Sequence, residues 1–531
     1  MPCDLPVDPV AVEVFRHLFA SVAEEMGVAL ERTAYSPNIK ERRDYSCALF
    51  DASGALVAQA AHIPVHLGAF PQMMATVVPC FDWRPGDVVA CNDPFAGGTH
   101  LPDLSLITAV FDPESGRRCG FVANRAHHAD IGGVSPGSMA STTEIYQEGV
   151  IVPPLRLVAE GRINEDLIAL FCRNVRTPRE RRGDLLAQMA ANETGVRRFQ
   201  EILRRYGAAE VKRRVAEARA VSERAVRALL HEIPPGEYWF EDALDDDGHG
   251  SGWLPIRVTV RVHGDRILFD FTGTAPQQRG SVNATLAVTH SAVYYVVISL
   301  LSQGPEGVPP LNQGCVAPIQ VEAPPGSLVH ALPPAAVAAG NVETSQRIVD
   351  TVYGALAQAL PERVPAASQG TMNNLALGGS PLLGTAGRPW AYYETVGGGA
   401  GASATADGAS GIHCHMSNTR NTPAEALEYH YPLRLWRYAI RDGSGGTGRR
   451  RGGDGLIREL EVLEEATVTF LSERRARGPY GLQGGAPGAP GRQGVKRSRR
   501  WRPGRAKETL ALAAGDRLRV ETPGGGGWGA P

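Results

Sequence analysis

The feature that most constrains the fold is a long proline-free segment in a chain otherwise crowded with turn-forming residues. The 531 residues include 39 prolines and 61 glycines, yet residues 185–231 contain no proline and two glycines, Gly195 and Gly207. The segment is rich in Arg, Glu and Ala, most of which favour helices. We therefore predict a mostly helical segment, broken at the two glycines. Its charges indicate a solvated helical face rather than a nucleic-acid surface.

The chain that follows this segment has the alternation typical of strands. Apolar and polar side chains alternate over residues 256–262, and a Gly264-Asp265 turn leads into a second alternating run over residues 267–271. The high glycine and proline content adds many turns. Together these patterns predict an α+β, multidomain, β-rich protein with a helical segment around residues 185–231.

The length of the chain implies several domains, because a single core does not grow to this size. We predict four regions. They are an N-terminal α/β region with the candidate site (1–180), a helical segment (181–233), a mixed β/α region (234–370) and a C-terminal β-rich, glycine-rich region (371–531).

Shorter patterns predict individual elements and loops. They are a helix opened by Asp8-Pro9, a hairpin over 45–58, a buried helix over 288–301, a helix over 343–360, a mobile loop over 484–505 and a glycine tail packed by its backbone over 522–529.

The overall composition limits the classes of partner and compartment. A formal net charge of −2 gives no reason to expect nucleic acid or an anionic membrane as a partner. No apolar run reaches transmembrane length, and the N-terminus lacks a signal-peptide pattern. The eight cysteines are dispersed without a Cys-x-x-Cys pair, which is typical of a reducing compartment. We expect a cytoplasmic protein.

Two glycine-rich blocks, residues 92–103 and 124–133, hold the most informative chemistry. Each follows an apolar, strand-like run, and together they carry three histidines and several aspartates. His100 and Asp103 can meet around one ion across a tight turn, and His127 or His128 would add a second imidazole. Two imidazoles and a carboxylate suit Zn, Mn or Fe(II), which polarise a carbonyl or lower the pKa of a water molecule. The alternative is that these residues only cap and stabilise turns.

Other histidine and polar clusters leave alternatives open. His62 and His66 either line the same cleft or make backbone hydrogen bonds in a loop. His413 and His415 alternate as on a strand, and a structural corner is favoured over a substrate or subunit contact. The polar run over residues 341–347 resembles a helix start that caps or binds an anion.

Several familiar motifs fail for lack of the necessary local structure. The Gly-x-Gly-x-x-Gly match over residues 443–448 is not followed by a helix, and the Gly-x-Ser-x-Gly match at 133–137 lies between turns. The sequence contains neither a P-loop nor a His-Glu-x-x-His motif. If ATP is used, we expect another chain to bind it.

The two blocks also carry a specific resemblance. Together with Asp44-Tyr-Ser-Cys47, Asn174-Val-Arg-Thr-Pro178, Asn418-Thr-Arg-Asn-Thr-Pro423 and the Thr-Pro-Gly-Gly-Gly-Gly tail, they occur here in the order seen in the hydantoinase B/oxoprolinase family. The resemblance covers about residues 7–529. That family includes the B-type component of N-methylhydantoinase, the C-terminal half of 5-oxoprolinases and large subunits of acetone and acetophenone carboxylases.

This resemblance implies ligands for a divalent metal (Zn, Mn or Fe) and a set of catalytic residues. Carried over residue by residue, the ligands are His100, Asp103 and His127. His128 and Asp130 would lie behind the ligands or act as acid–base groups. Outside the resemblance, the His62/His66 pair adds His66 as a further catalytic candidate.

The resemblance further implies a division of labour within a hetero-oligomer. A hydantoinase A-type ATPase partner would bind ATP and Mg and phosphorylate the substrate. This chain would complete the hydrolysis of a cyclic amide, a hydantoin or 5-oxoproline. The alternatives are the large subunit of an ATP-dependent ketone carboxylase and a non-catalytic scaffold for the ATPase.

Overall fold

The computed structural model describes residues 8–60, 62–301, 309–379, 389–498 and 500–531. The predicted α+β, multidomain organisation is confirmed, since helices pack on several largely antiparallel sheets. The helices are α1 (Pro9–Thr33), α2 (Pro37–Lys40), α3 (Ala69–Val77), α4 (Glu165–Arg173), α5 (Pro178–Tyr206), α6 (Ala208–Glu232), α7 (Leu286–Leu301), α8 (Ser345–Leu356) and α9 (Ala424–His430). In the part of the chain that the structure describes, none of them is long and apolar enough to cross a membrane.

The N-terminal sheet carries the candidate site and is covered on both faces. Its strands are β1 (Tyr45–Asp51), β2 (Leu56–Gln59), β3 (Val88–Cys91), β4 (Asp103–Phe111), β5 (Arg118–His127), β6 (Leu155–Ala159) and β7 (Arg162–Ile163), in the antiparallel order β2-β1-β5-β4-β3-β6-β7. Helices α1 and α5 pack on one face and α3 on the other. The predicted hairpin over 45–58 is therefore confirmed as β1 and β2. Helix α1 begins as predicted, because the Asp8 carboxylate accepts hydrogen bonds from Val10 N and Ala11 N.

The long helical segment is broken at one of the two predicted glycines. Gly207 separates α5 from α6 at φ 80°, a conformation that favours glycine. The prediction of a break at Gly195 is wrong, because α5 continues through it. A Cβ there would lie 2.4 Å from Met26 Sδ, so this glycine permits the close approach of α1 and α5.

The second sheet confirms the predicted period of two. Its strands are β8 (Gly236–Leu244), β9 (Leu254–His263), β10 (Arg266–Asp270) and β11 (Ile319–Glu322), in the order β11-β10-β9-β8. The apolar residues of β9 are buried against α7 and α8, which confirms the predicted buried helix and the helix after residue 343. A π-helical turn, Gly340–Thr344, leads into α8.

Two further sheets form the C-terminal region. One has the order β13-β12-β16-β19 and the other β14-β15-β20-β17-β18. The strands are β12 (Asn374–Gly379), β13 (Trp390–Glu394), β14 (Leu433–Arg441), β15 (Gly455–Val462), β16 (Ala466–Leu471), β17 (Arg492–Arg497), β18 (Arg500–Pro503), β19 (Lys507–Leu512) and β20 (Arg517–Glu521). The prediction of a mobile loop over 484–505 is wrong for its second half, because β17 and β18 pair as a hairpin and β17 also pairs with β20.

The glycine tail packs by its backbone, as predicted. Each of Gly525, Gly526 and Gly527 donates one N–H and accepts one hydrogen bond. Their partners are the backbone N–H and C=O groups of Gly446, Gly453, Ala367, Ala402, Leu482 and Ala486. A Cβ on Gly525 would lie 1.9 Å from Ala400 O, so a side chain has no space there. The division into four regions stays a prediction.

Candidate metal centre

Strand pairing brings the predicted ligands together. Asp103 is the first residue of β4 and His127 the last residue of β5, and the two lie directly opposite each other in the antiparallel register. His100 precedes β4 in a tight turn in which Asp103 N donates to His100 O at 3.1 Å. A turn and one pair of neighbouring strands therefore place two imidazoles and one carboxylate at one edge of the sheet.

The geometry of this cluster fits a divalent ion. His100 Nε2 lies 3.3 Å from Asp103 Oδ1, His127 Nδ1 lies 3.3 Å from the same oxygen, and the two nitrogens are 3.2 Å apart. Ligand atoms about 2.1 Å from a tetrahedral ion lie about 3.4 Å from one another. All three residues are buried, and their ligand atoms form a group suited to a metal. The donor set and its spacing thus fit the metal that the sequence predicted.

The orientation of the His100 ring is set by a buried loop behind it. His100 Nδ1 lies 3.3 Å from Ala338 O, which leaves Nε2 facing Asp103 and His127. Glu148 Oε1 accepts hydrogen bonds from Val337 N and Ala338 N, both at 2.9 Å. Burial raises the pKa of Glu148 to about 7. Such partners behind a ligand fix its tautomer and ring plane.

The electrostatics of the cluster favour an ionised carboxylate. Burial alone raises the pKa of Asp103, but the imidazoles of His100 and His66 outweigh this effect and hold it well below its usual range. Burial alone lowers the pKa of His100. The neighbouring Asp103 carboxylate outweighs this effect, so the pKa of His100 is raised overall. For His127 burial dominates and lowers the pKa, which favours the neutral imidazole that a metal requires. Burial also lowers the pKa of the neighbouring His66.

His127 is held by an aromatic stack rather than by a hydrogen bond at its outer nitrogen. The Tyr393 ring lies parallel to it, with 4.4 Å between centroids and 13° between planes, and the Arg42 guanidinium covers Tyr393 at 5.1 Å. Tyr393 Oη donates to Asn374 Oδ1 at 2.8 Å. His127 Nε2 is buried without a hydrogen-bond partner among the described residues. Sequence reasoning missed Tyr393, which comes from β13, more than 250 residues away.

His66 joins the cluster, as one of the two interpretations of the His62/His66 pair predicted. It ends a one-turn 3-10 helix, Pro64–His66. Its Nε2 lies 3.2 Å from Asp103 Oδ2 and its Nδ1 lies 2.8 Å from Ser46 Oγ. His62 instead accepts a hydrogen bond from Cys47 N at Nδ1 and packs edge-on against Tyr45.

The structure does not bring His128 and Asp130 to the cluster. Successive residues at a strand end point to opposite faces, so His128 faces α5, where its Nε2 lies 2.9 Å from Gln188 Oε1. Asp130 is bound by Arg176, through the backbone N at 2.7 Å and Nη1 at 2.8 Å. The prediction that these two residues exchange protons with a substrate is not supported by this arrangement. Both anchor the segment after β5.

A small cavity of about 20 Å³, room for about one water molecule, lies beside the cluster. Its walls are partly polar and partly apolar. They include Asp44, His66, Asp103, His127, Asn341, Tyr393, Thr395, Ser417 and Thr419, with Ile63, Val65, Val342, Met372 and Met416.

Asp44 is a cavity residue to which sequence reasoning gave no role. Its carbonyl accepts a hydrogen bond from His127 N at 3.0 Å, and its carboxylate lies 3.8 Å from Arg42 Nη1. It belongs to the Asp44-Tyr-Ser-Cys47 motif, but the sequence does not show that β1 pairs with the end of β5. That pairing is what places this carboxylate at the site.

The C-terminal histidine pair does not lie on a strand. The segment turns at His415, whose φ is 54°, so the prediction of two side chains alternating along a strand is wrong. His415 packs on Tyr295 and Tyr353, and His413 Nδ1 lies 3.0 Å from Ser417 Oγ. These contacts agree with the favoured structural role of the two histidines. Ser417 and Thr419, which follow them in the chain, line the cavity.

Comparisons with known proteins show the family. Residues 8–531 match the family model described as hydantoinase B/oxoprolinase. The chain is 39% identical over 550 residues to 5-oxoprolinase 1 of Arabidopsis thaliana, which covers 98% of this chain and 42% of that relative. It is 31% identical over 549 residues to a putative B-type subunit of a D-/L-hydantoinase from Pseudomonas sp. (strain NS671), covering 99% of this chain and 90% of the relative.

A solved structure has the same fold. The crystal structure of the ATP-dependent caprolactamase from Pseudomonas jessenii superposes with a TM-score of 0.90 at 32% identity, covering 99% of this chain and 92% of that one. The chain therefore belongs to the hydantoinase B/oxoprolinase family, and the predicted resemblance is confirmed. It spans about two fifths of the length of the plant 5-oxoprolinase that it matches.

Proposed function

We propose that this chain is the B-type component of an ATP-dependent cyclic amide hydrolase. It would complete ring opening of a substrate that a partner A-type ATPase has phosphorylated. The observation that carries the proposal is the buried cluster of His100, Asp103 and His127, with mutual distances of 3.2–3.3 Å, at the wall of a cavity. The names of the three relatives support it, because each denotes action on a cyclic amide.

Energy coupling is assigned to the partner. An amide carbonyl is a poor electrophile, and phosphorylation of its oxygen activates the ring carbon. This chain has no P-loop. The 5-oxoprolinase relative is more than twice as long as the matched region, which leaves room there for a further component. We therefore propose a hetero-oligomer in which ATP and Mg bind to the partner.

The chain's own residues would bind a metal and handle protons. His100, Asp103 and His127 would hold a divalent ion (Zn, Mn or Fe), which when bound polarises an oxygen and lowers the pKa of a water molecule. Attack of water on the ring carbon releases a proton, and cleavage of the C–N bond takes one up at the ring nitrogen. A second water then hydrolyses the resulting acyl phosphate to the carboxylate and free phosphate. His66, whose Nε2 lies 3.2 Å from Asp103, and Asp44 supply the imidazole and the carboxylate of the cavity wall outside the proposed ligand set. We assign proton transfer to these two residues.

The test is product formation by the chain co-expressed with an A-type ATPase partner. The complex would be offered ATP and Mg with 5-oxoproline, a hydantoin or caprolactam, and separately a ketone with bicarbonate. We expect ATP-dependent ring opening that is lost in His100→Ala, with ATP hydrolysis by the partner partly retained. A carboxylated ketone would assign the carboxylase function. Full ring opening by both His100→Ala and Asp103→Ala, or no product from a complex with an active ATPase, would overturn the proposal.

A further inference from the structure

The outer face of the C-terminal five-stranded sheet is strongly basic. Two neighbouring rows of paired residues cross this sheet from β14 to β18, on the face opposite the core. The rows are Arg434-Glu461-Arg517-Lys496-Trp501 and Arg437-Glu459-Arg519-Gly494-Pro503. They hold five basic and two acidic side chains, and Trp436 lies on the same face, in the bulge between the rows. We define the Arg–Trp face by the side chains of Arg434, Trp436, Arg437, Trp501, Arg517 and Arg519.

The acidic side chains of these rows are covered by their neighbours. The Glu459 side chain is 8% exposed, and its Oε2 accepts a hydrogen bond from Arg519 Nη2 at 2.7 Å. Glu461 Oε2 accepts a hydrogen bond from Trp436 Nε1 at 2.7 Å. Arg437, by contrast, is exposed and makes no ion pair with any described residue. A molecule that approaches this face therefore meets mainly positive charge.

The two tryptophans of the face are fixed by guanidinium groups. The Arg517 guanidinium covers the Trp436 ring at 3.4 Å, and the Arg519 guanidinium covers the Trp501 ring at 4.2 Å. Such cation–π contacts hold each indole in one orientation. Both indoles remain partly exposed. Tryptophan and arginine contribute the most binding energy at protein interfaces, so the face has the composition of a surface that binds another protein.

A protein with an acidic surface fits this face better than the other occupants. Nucleic-acid bases need free aromatic rings for stacking, and both indoles are already stacked on guanidinium groups. Four of the five basic side chains in the rows are arginine, which is enriched at protein interfaces, whereas lysine is depleted there. A second copy of the chain would bring like charges together across a two-fold axis. Carboxylates of another protein would instead pair with the guanidinium groups.

One edge of the Arg–Trp face is connected to the cavity beside the metal cluster. Strand β14 is an edge strand of the sheet, and its Tyr438 Oη donates a hydrogen bond to Asn421 Oδ1 at 2.9 Å. Asn421 Nδ2 donates a hydrogen bond to Thr395 O at 2.8 Å. Thr395 lines the cavity. Two hydrogen bonds therefore join the edge of this sheet to the cavity wall.

We propose that the Arg–Trp face is the docking surface for the A-type ATPase, an inference that rests on the proposed function. The ATPase would present Asp and Glu carboxylates, which form charge-assisted hydrogen bonds with the exposed guanidinium groups of Arg434 and Arg437. Docking beside β14 would bring the component that phosphorylates the substrate next to the segment that closes the cavity on this side.

Charge reversal on the face tests this docking. In Arg434→Glu/Arg437→Glu both changes are at exposed side chains outside the core and the cavity, so circular dichroism and metal content should match the wild type. Calorimetry would measure the affinity of the full chain for the purified A-type ATPase. We expect the dissociation constant to rise by about 100-fold, because like charges would then face each other. We also expect wild-type binding to weaken with added salt, and binding of the variant to depend less on salt.

A matched control separates the face from the overall charge. Arg117→Glu/Arg224→Glu changes the net charge equally at two exposed arginines, one between β4 and β5 and the other on α6. It should bind the ATPase within about threefold of the wild type. The single variant Arg437→Glu removes no ion pair between described residues and should weaken binding by about tenfold, which tests the face even if the double variant fails to fold.

Binding and turnover report on different claims. Unchanged affinity in both face variants, an equal loss in the control, or no binding of the ATPase to the wild-type chain would overturn the docking surface. It would also be overturned if the face instead bound oligo(dT) or vesicles containing phosphatidylserine, with binding lost in Arg434→Glu/Arg437→Glu. Docking that depends on the face, in a complex that opens no ring, would contradict the proposed function and leave the docking surface supported.

Discussion

The cavity and the glycine tail are both buried, and they are built in opposite ways. At the cavity, polar side chains from distant segments converge, and two of them, His127 Nε2 and Asn341 Oδ1, lack a hydrogen-bond partner among the described residues. At the tail, consecutive glycines have no side chains, and their backbone groups are paired with neighbouring segments. The first region keeps unmet bonding capacity for a ligand, and the second uses all of it for the fold. Substitutions should therefore affect activity in one region and stability in the other.

The largest effect is expected at the centre of the tail. In Gly525→Val the Cβ would lie 1.9 Å from Ala400 O and the branched side chain could not be accommodated. We expect a loss of at least about 4 kcal/mol of unfolding free energy, enough to prevent recovery of folded protein. Denaturant unfolding and circular dichroism measure this. The control is Gly236→Ala, whose Cβ would lie 3.2 Å from Tyr238 Oη, at the end of a side chain that can move aside. A stable Gly525→Val protein would contradict the tight backbone packing of the tail.

Loss of activity without loss of the fold is expected at Asp103. In Asp103→Asn the carboxylate common to His66, His100 and His127 is removed with little change in volume. We expect metal binding to be lost and ring opening to fall by more than about 100-fold, beyond the effect of residues behind a ligand. Circular dichroism should still report the wild-type fold. Retention of metal and activity would show that Asp103 is not a ligand.

A smaller and pH-dependent effect is expected at Glu148. Burial raises the pKa of Glu148 from 4.5 to about 7, so ionisation disfavours the folded state. Its contribution to stability is greatest below the unfolded pKa and declines as the pH rises from about 4.5 to about 7. Glu148→Gln removes this decline and should gain up to roughly 3 kcal/mol over wild type at pH 8. Denaturant unfolding at pH 5 and pH 8 measures the difference.

The alanine variant provides the control for that prediction. Glu148→Ala leaves Val337 N and Ala338 N without their acceptor and should be destabilised at both pH values. An equal difference between wild type and Glu148→Gln at the two pH values would contradict the raised pKa.

The smallest effect is expected at Tyr393. Tyr393→Phe keeps the stack on His127 and loses the hydrogen bond to Asn374 Oδ1, so we expect a loss of about 1 kcal/mol in stability and little change in metal affinity. Tyr393→Leu removes the stack as well and should weaken metal binding by about 10–100-fold. Metal titration of the two variants distinguishes them. Equal affinity in both would show that the stack does not position His127.

Sequence reasoning found the parts of the site that lie close together in the chain. His100 and Asp103 share one turn, and His127 follows the next strand, so motif order and resemblance identified all three. The choice between His127 and His128 depends on which face of β5 each residue takes, and from the residues alone it stayed open. Asn341 belongs to the polar run over residues 341–347 that the sequence singled out, but its place in the cavity wall, like that of Tyr393, depends on tertiary packing that no local pattern encodes.

The two glycines of the helical segment also show that local sequence does not reveal tertiary contacts. Gly195 and Gly207 are equivalent breakers by composition, but one lies against Met26 in a close helix contact and the other turns the chain at φ 80°. Period-two strands and capped helices follow from local physics and were predicted. Close backbone approaches depend on partners far away in the sequence.

The metal centre is tested by elemental analysis of the purified wild-type chain beside His100→Ala, prepared in parallel. We expect about one divalent ion of Zn, Mn or Fe per wild-type chain and a large loss of that ion in the variant. The same metal content in both proteins, or a metal-free wild-type chain that opens rings with its partner, would contradict this expectation.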